Sequence, residues 1–366
     1  MAESLELDVE PDLVQAAERR FVLVTGAGRS GTSTIAGSLN YLGLHLPRPV
    51  LGTNRSNPRG FFESRWAIDF HKRLMERANI DVFDARPDAL QKIHDVLRPE
   101  HQQEIESWLH AEAAHAPQMV VKDPRSAWIP GLWADAAASL GFSTGYVTML
   151  RHPAEVIGSR STYYAKGDEE GVRRYQITNV ARWVNANLVS ERQTRGRARA
   201  FLRYHDLIED WRGSVEPLGI DLGLTFNIDI DSGSPHVVDE FIDPSLRRHT
   251  VTWDELDIPP ALQVVAEGTW QACGVLADGH GADEHAHARL DELSLEYEKV
   301  FRDAAAVAHD VMAGAVKVAR KKAIRETRAR LKKSADTASR EGQATPAKAR
   351  GVLSRAASGL RRRASR

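Results

Sequence analysis

The residues best suited to chemistry in this sequence are glycines, hydroxyls and cations gathered in short runs. Residues 21–43 read FVLVTGAGRSGTSTIAGSLNYLG. Phe21 to Thr25 is an apolar, β-branched run of the buried-strand kind. Gly26, Gly28 and Gly31 break it, and Ile35, Leu39 and Leu42 then recur at helical spacing. A strand, a glycine-rich turn and a helix start make a phosphate cradle. Glycines let an anion approach the backbone, and the first N–H groups of the helix point at it with the dipole behind them. Gly26-x4-Gly31 has the spacing of a nucleoside-triphosphate loop, but Thr32-Ser33 stands where that loop has Lys-Ser/Thr. The cation is instead Arg29, inside the loop. The expected ligand is therefore a phosphate group without the usual Mg²⁺–triphosphate arrangement, held by Gly28, Arg29, Ser30, Gly31, Thr32 and Ser33. The bland alternative is a plain glycine-rich turn of any α/β domain.

Further runs could act with the loop. In RHPAEVIGS, Arg151 ends an apolar run and Ser159 lies two turns into a helix begun by Pro153. That geometry suits a guanidinium and a hydroxyl holding one further phosphate, away from the loop. Val121-Lys122-Asp123-Pro124-Arg125 ends another apolar run. Gly60-Phe61-Phe62-Glu63 closes a Pro/Gly/Asn-rich stretch, and Ser64 is placed to cap a helix with Trp66, Phe70 and Leu74 on one face. Each has an ordinary reading too. Glu63 is a charge that favours a helix start, and Lys122 with Asp123 is a strand-end ion pair. Arg125 is a structural partner or a contact for an anionic substrate. Ser159 can bond back to its own helix, and Tyr204 reads as core. Trp128, Trp133 and Trp183 read as core anchors, and His280, His285 and His287 as a solvated loop. No metal-ligand spacing is present, and no metal is expected.

The elements that must position these residues alternate. Strands are expected near 21–25, 119–122, 144–150 and 200–204, and helices after the loop, near 64–78, from Pro153, over 171–194 and over 205–218. Strands alternating with helices imply α/β architecture: a central parallel sheet flanked by helices, with ligands at the carboxyl ends of the strands. The expected organisation is a lead-in (1–19), a P-loop-type α/β domain (20–260), a helical extension (261–333) and a basic disordered tail (334–366). Residues 79–117 read as polar helices, part of them a lid or substrate-facing insertion. Residues 45–60, 79–117 and 219–260 are expected to shape an acceptor pocket.

Composition bounds the rest. A chain of 366 residues with 42% hydrophobic content can build a sizeable core. The single cysteine, Cys273, excludes an internal disulfide framework and fits a reducing cytoplasm. No signal peptide or membrane span is visible. The net charge of −1 hides an asymmetry: residues 317–366 hold 17 Lys or Arg and 3 Asp or Glu, leaving 32 basic and 47 acidic residues before them. A solvated tail is the default reading. Weak docking on the inner membrane face, or on an acidic partner, is the alternative.

Together these runs resemble the sulfotransferases that use 3′-phosphoadenosine 5′-phosphosulfate, in particular their bacterial and carbohydrate-type branch. GAGRSGTST resembles the family's 5′-phosphosulfate loop, with Arg29 in the place of its loop cation. RHPAEVIGS resembles the 3′-phosphate motif, matching Arg151 and Ser159. FLRYHDLIEDW is similar to the segment that sets a tyrosine, here Tyr204, beside the adenine. VVKDPR and GFFE also resemble family segments, and FIDPSLRRH is a weaker echo that puts Arg247 and Arg248 at the 3′-phosphate or the substrate mouth. The likeness covers about residues 20–215. It departs where aryl and steroid sulfotransferases carry Lys-Thr-His, since Lys122-Asp123-Pro124 has no histidine. By the carbohydrate branch's pattern the base is then Glu63. The resemblance implies in-line transfer of a sulfuryl group to a hydroxyl of a carbohydrate, glycolipid or other small acceptor, with Arg29, Glu63 and Lys122 catalytic and no nucleic acid as partner. The alternatives are a P-loop kinase or nucleoside triphosphatase and a non-catalytic nucleotide-binding module. Against the kinase stand Thr32 at the lysine position and the lack of a clear apolar run ending in a Mg²⁺-holding aspartate.

Overall fold

Apolar runs of the sequence become the strands of one parallel sheet: β1 (Arg19–Gly26), β2 (Gln118–Lys122), β3 (Phe142–Leu150) and β4 (Arg199–Arg203), in the order β2-β1-β3-β4. The computed structural model describes residues 18–164, 167–242, 251–332 and 334. Expectations for residues 1–17, for Arg247 and Arg248 and for 335–366 lie outside the described residues.

β1 is central, pairing with β2 and β3, so Phe21 sits between Met119 and Thr144. Its side chains alternate between two cores. Phe21 and Leu23 join Phe70 and Trp133, while Val22 and Val24 join Ile35 and Leu39. Both faces are therefore apolar, as a covered parallel strand requires. The first core is closed by α2 (Arg65–Ala78), α3 (Ala89–Val96), α4 (Pro99–Glu112) and α5 (Pro130–Ser139). The second is closed by α1 (Thr32–Tyr41), α8 (Tyr204–Glu209) and α9 (Trp211–Leu222). A third core joins α6 (Pro153–Tyr164), α7 (Glu169–Thr194), α11 (Pro260–Asp278) and α12 (Glu284–Val307) through Leu150, Val180, Phe201 and Leu290. A short α10 (Val237–Phe241) lies against α1. The described residues through Phe301 form one compact unit and those from Arg302 onward another, which holds a further helix, α13 (309–332). This is the three-layer α/β arrangement expected. Among the described residues, no helix is long and apolar enough to cross a membrane.

Three local differences have physical causes. The stretch expected as one helix over 205–218 is broken at Asp210, whose side chain caps α9 by accepting from the Gly213 N–H. α3 and α4 are not a lid, because Ile93, Ile105 and Leu109 are buried in the core around Phe70 and Trp133. Ser64 occupies the N-cap position of α2 but makes no cap hydrogen bond. β1 itself stops at Gly26, where φ is +120° and a Cβ would lie 2.6 Å from the Met149 carbonyl oxygen.

Candidate active site

The loop between β1 and α1 lies at the carboxyl end of the central strand. α1 has Gly31 as its N-cap, in the left-handed region, and no side chain caps it. The first N–H groups of a helix have no intrahelical partners, so this end has donors to offer an anion. Gly31 is required by φ +94° and by Tyr204, whose Cδ2 would lie 2.3 Å from an added Cβ. The Ser30 hydroxyl is fully buried in the loop without a hydrogen-bond partner. Such an orphan marks a place where a further acceptor or donor is needed. Arg29 also adopts a left-handed backbone, φ +75°, the kind of local strain that clusters at ligand sites.

Arg29 reaches out of the loop. Its Nε donates to Ser159 Oγ at 3.3 Å and its Nη1 to the Ser56 carbonyl at 2.9 Å. Arg151 is buried. It donates to Glu155 at 2.9 Å and to the Arg29 carbonyl at 3.3 Å, and it stacks over the Tyr204 ring at 4.9 Å. The Arg151–Ser159 pair was expected away from the loop. Arg29 ties both residues to the loop, through its Nε to Ser159 and its carbonyl to Arg151.

At the other side stands an ion pair that spans 59 residues of sequence. Lys122, from the end of β2, donates to Glu63 Oε1 at 2.5 Å, and the two side chains are 3% and 8% exposed. Lys122 also reaches the Phe61 carbonyl at 3.3 Å and Ser33 Oγ at 3.4 Å, which ties the pair to the α1 N-terminus. Arg125 lies 3.8 Å from the second Glu63 oxygen. It is fixed by Asp123, whose Oδ1 accepts from the Arg125 N–H at 3.0 Å and from its guanidinium at 2.8 Å. Asp123 Oδ2 meets His71 Nδ1 at 2.8 Å, and Trp133 donates to His71 Nε2 at 2.9 Å. Because the Trp133 N–H can only donate, Nε2 is the accepting nitrogen and Nδ1 carries the proton. Burial opposes the charge of Asp123, yet His71 and Arg125 hold its carboxyl well below the ordinary carboxylate range. β2 ends at Lys122, and Asp123 follows it directly. That aspartate is spent on neighbouring side chains.

The loop 51–60 arches over the cradle, its ends tied by the Leu51 N–H to the Glu63 carbonyl at 2.8 Å. Asn57 Nδ2 donates to Ser33 Oγ at 3.2 Å, and Arg59 donates to the Phe241 carbonyl at the end of α10. Asn57, Arg59, Arg160, Phe83 and Phe241 were not singled out in the sequence. Arg160, directly after Ser159, was the readable one. Its guanidinium sits 5.0 Å over the Phe83 ring.

These groups enclose a cavity of about 300 Å³. Gly28, Arg29, Gly31, Thr32 and Ser33 line it from the loop, and Glu63, Lys122, Arg151, Ser159 and Tyr204 from elsewhere. Ser30 lies behind this surface. The stretches expected to shape an acceptor pocket contribute Ser56 to Gly60, Phe83 and Phe241. Five cations and one carboxylate face the space, a balance suited to a multiply charged anion. Elsewhere, His280 pairs with Asp221 at 2.8 Å and His287 with Arg199 at 2.8 Å, so these histidines go to different partners. Trp128, Trp133 and Trp183 are core residues.

No protein-family model matches the chain, and no curated protein matches it. Among solved structures, it is similar to the sulfotransferase domain from the Synechococcus PCC 7002 olefin synthase, with TM-score 0.39 and 18% identity over 70% of this chain and 94% of that one. It is also similar to the sulfotransferase domain from the curacin biosynthetic pathway, with TM-score 0.37 and 18% identity over 70% and 98%. A further match is sulfotransferase STF1 from Mycobacterium tuberculosis H37Rv, with TM-score 0.36 and 16% identity over 70% and 78%.

Proposed function

We propose that this chain is a sulfotransferase. In this reading a sulfuryl group passes from 3′-phosphoadenosine 5′-phosphosulfate to a hydroxyl of a carbohydrate, glycolipid or other small acceptor. The observation that carries it is the joining of two anion sites across one cavity, with a lysine–glutamate pair beside the first. The uncapped start of α1 fits a 5′-phosphate group. Arg151 and Ser159 fit a 3′-phosphate, and Arg29 lies between the two sites. When bound, the donor supplies an activated sulfuryl group with a good leaving group.

The chain's residues then do the positioning and the charge work. Arg29 holds both phosphate ends, and its planar fork can contact more than one oxygen. Lys122 orients the Glu63 carboxylate and offers its ammonium to the incoming anion. Glu63 accepts the proton of the acceptor hydroxyl, an effect of roughly 10²–10⁴-fold where such bases operate. Tyr204 supports the loop from beneath Arg151 and lies beside the adenine. The kinase reading needs an aspartate free to hold Mg²⁺ near the loop. Asp123 is fully buried, and its oxygens already accept from His71 and Arg125.

Ligand-induced stabilisation tests the proposal. Adenosine 3′,5′-bisphosphate should raise the unfolding free energy by about 2.7 kcal/mol at a hundred times its Kd. ATP with Mg²⁺, which lacks the 3′-phosphate, should do less at equal concentration. Label from a sulfonyl-labelled donor should then appear in one member of a hydroxyl-acceptor panel. Stronger stabilisation by ATP–Mg²⁺ than by the bisphosphate would overturn the reading.

A further inference from the structure

The catalytic reading makes no use of α13. From residue 311 to 332 every residue of this helix is exposed. From Lys317 onward it carries eight Lys or Arg and a single acid, Glu326. Lys317, Lys321, Arg325, Arg328 and Lys332 follow one another at helical spacings of three and four. At 100° per residue they share one face, a basic stripe about 22 Å long.

Branched aliphatic residues flank the stripe. Ile324 and Leu331 are 44% and 65% exposed, and each is a helical neighbour of Arg328, at i−4 and i+3. Val316, at the head of the stripe, is 66% exposed. Apolar side chains thus lie next to the helix's most charged face.

We propose that residues 317–332 are a docking stripe for an anionic lipid surface. Phosphate headgroups complement the stripe, and the flanking aliphatic side chains enter the boundary beneath them. Nucleic acid would answer the charge alone. α13 contains no Phe, Tyr or Trp to stack on bases. The residues before the stripe carry more acids than bases, so the attraction resides in this helix and not in the chain as a whole. Docking would hold the catalytic unit at a surface where lipid-borne hydroxyl groups are concentrated.

Sedimentation with vesicles tests this without reference to catalysis. The full chain should pellet with mixed phosphatidylcholine–phosphatidylglycerol vesicles and not with phosphatidylcholine alone. Added salt should release it as the Debye length shrinks. Each basic residue near such a surface is worth about fivefold in partition, so the variant K317Q/K321Q/R325Q/R328Q should bind at least about 100-fold more weakly. Glutamine is a good helix former, and circular dichroism should show unchanged helix content. The charge-conserving variant I324S/L331S should also bind more weakly. Equal sedimentation of the parent and the glutamine variant would overturn the proposal, as would unchanged binding of I324S/L331S. Release from the vesicles by duplex DNA at matched phosphate concentration would reassign the stripe to nucleic acid.

Discussion

Removing Lys122 tests the core of the site. The Lys122–Glu63 pair is 2.5 Å long, with side chains 3% and 8% exposed, so neither charge can fall back on water. Breaking a buried pair by deleting one partner costs about 3–5 kcal/mol, because the other charge stays buried. In Lys122→Met the Glu63 carboxylate keeps Arg125 as a neighbour at 3.8 Å, which places the cost near the lower end, about 3 kcal/mol. In Glu63→Gln the ammonium keeps two long contacts, to the Phe61 carbonyl at 3.3 Å and Ser33 Oγ at 3.4 Å. The neutral amide oxygen can still accept from it, so the cost should be about 2 kcal/mol. The double variant buries neither charge and should lose only about 1 kcal/mol. It should therefore be more stable than either single variant, with a coupling of about 4 kcal/mol. Urea unfolding of all four proteins, extrapolated linearly, measures this. If the double variant costs the sum of the two singles to within about 0.5 kcal/mol, the pair is not an energetic unit and the reasoning fails. In the same set, Glu63→Gln should lower kcat by about 10²–10⁴-fold while leaving bisphosphate binding in place.

Gly31→Ala should abolish stabilisation by adenosine 3′,5′-bisphosphate. The left-handed backbone costs an alanine about 1–2 kcal/mol, and the Tyr204 ring 2.3 Å from the new Cβ forces the loop to move. Normal ligand-induced stabilisation of this variant would contradict the loop geometry. Asp123 has its carboxyl held below its ordinary value of 3.8, so as pH falls through that value the unfolded chain takes up the proton first. The stability it confers is full above that pH and is lost as pH falls toward the folded pKa. Asp123→Asn should therefore be less stable at neutral pH and should flatten the acid limb of the urea-midpoint profile. An unchanged acid limb would count against the His71–Asp123–Arg125 link. Cys273 is fully buried, and burial pushes its thiol up. It should react with a thiol reagent at neutral pH only as fast as the protein opens, and immediate stoichiometric reaction of the native protein would contradict that burial.

The sequence by itself determined what depends on near neighbours. Alternation along Phe21 to Val24 makes a strand covered on both faces, Gly26 and Gly31 permit the turn, and Ile35 and Leu39 set the face of α1. The spacing of Arg151 and Ser159 was equally local, since both belong to one strand end and the helix after it. The tertiary structure decided the partnerships. Arg29 reaches Ser159 across 130 residues and Ser56 across 27, and Lys122 meets Glu63 across 59. No period or propensity encodes such pairs. They arise because parallel strands β1, β2 and β3 end at the same edge and deliver their next residues to one place. The same reason hid the commitment of Asp123, which looks available in a row of letters and is closed off by His71 from α2. It also hid the role of α3 and α4, whose polar composition suggested a lid while Ile93, Ile105 and Leu109 were enough to seat them in a core. Local chemistry prescribed the glycine turn and the uncapped helix start. Packing at a distance chose which charges face them.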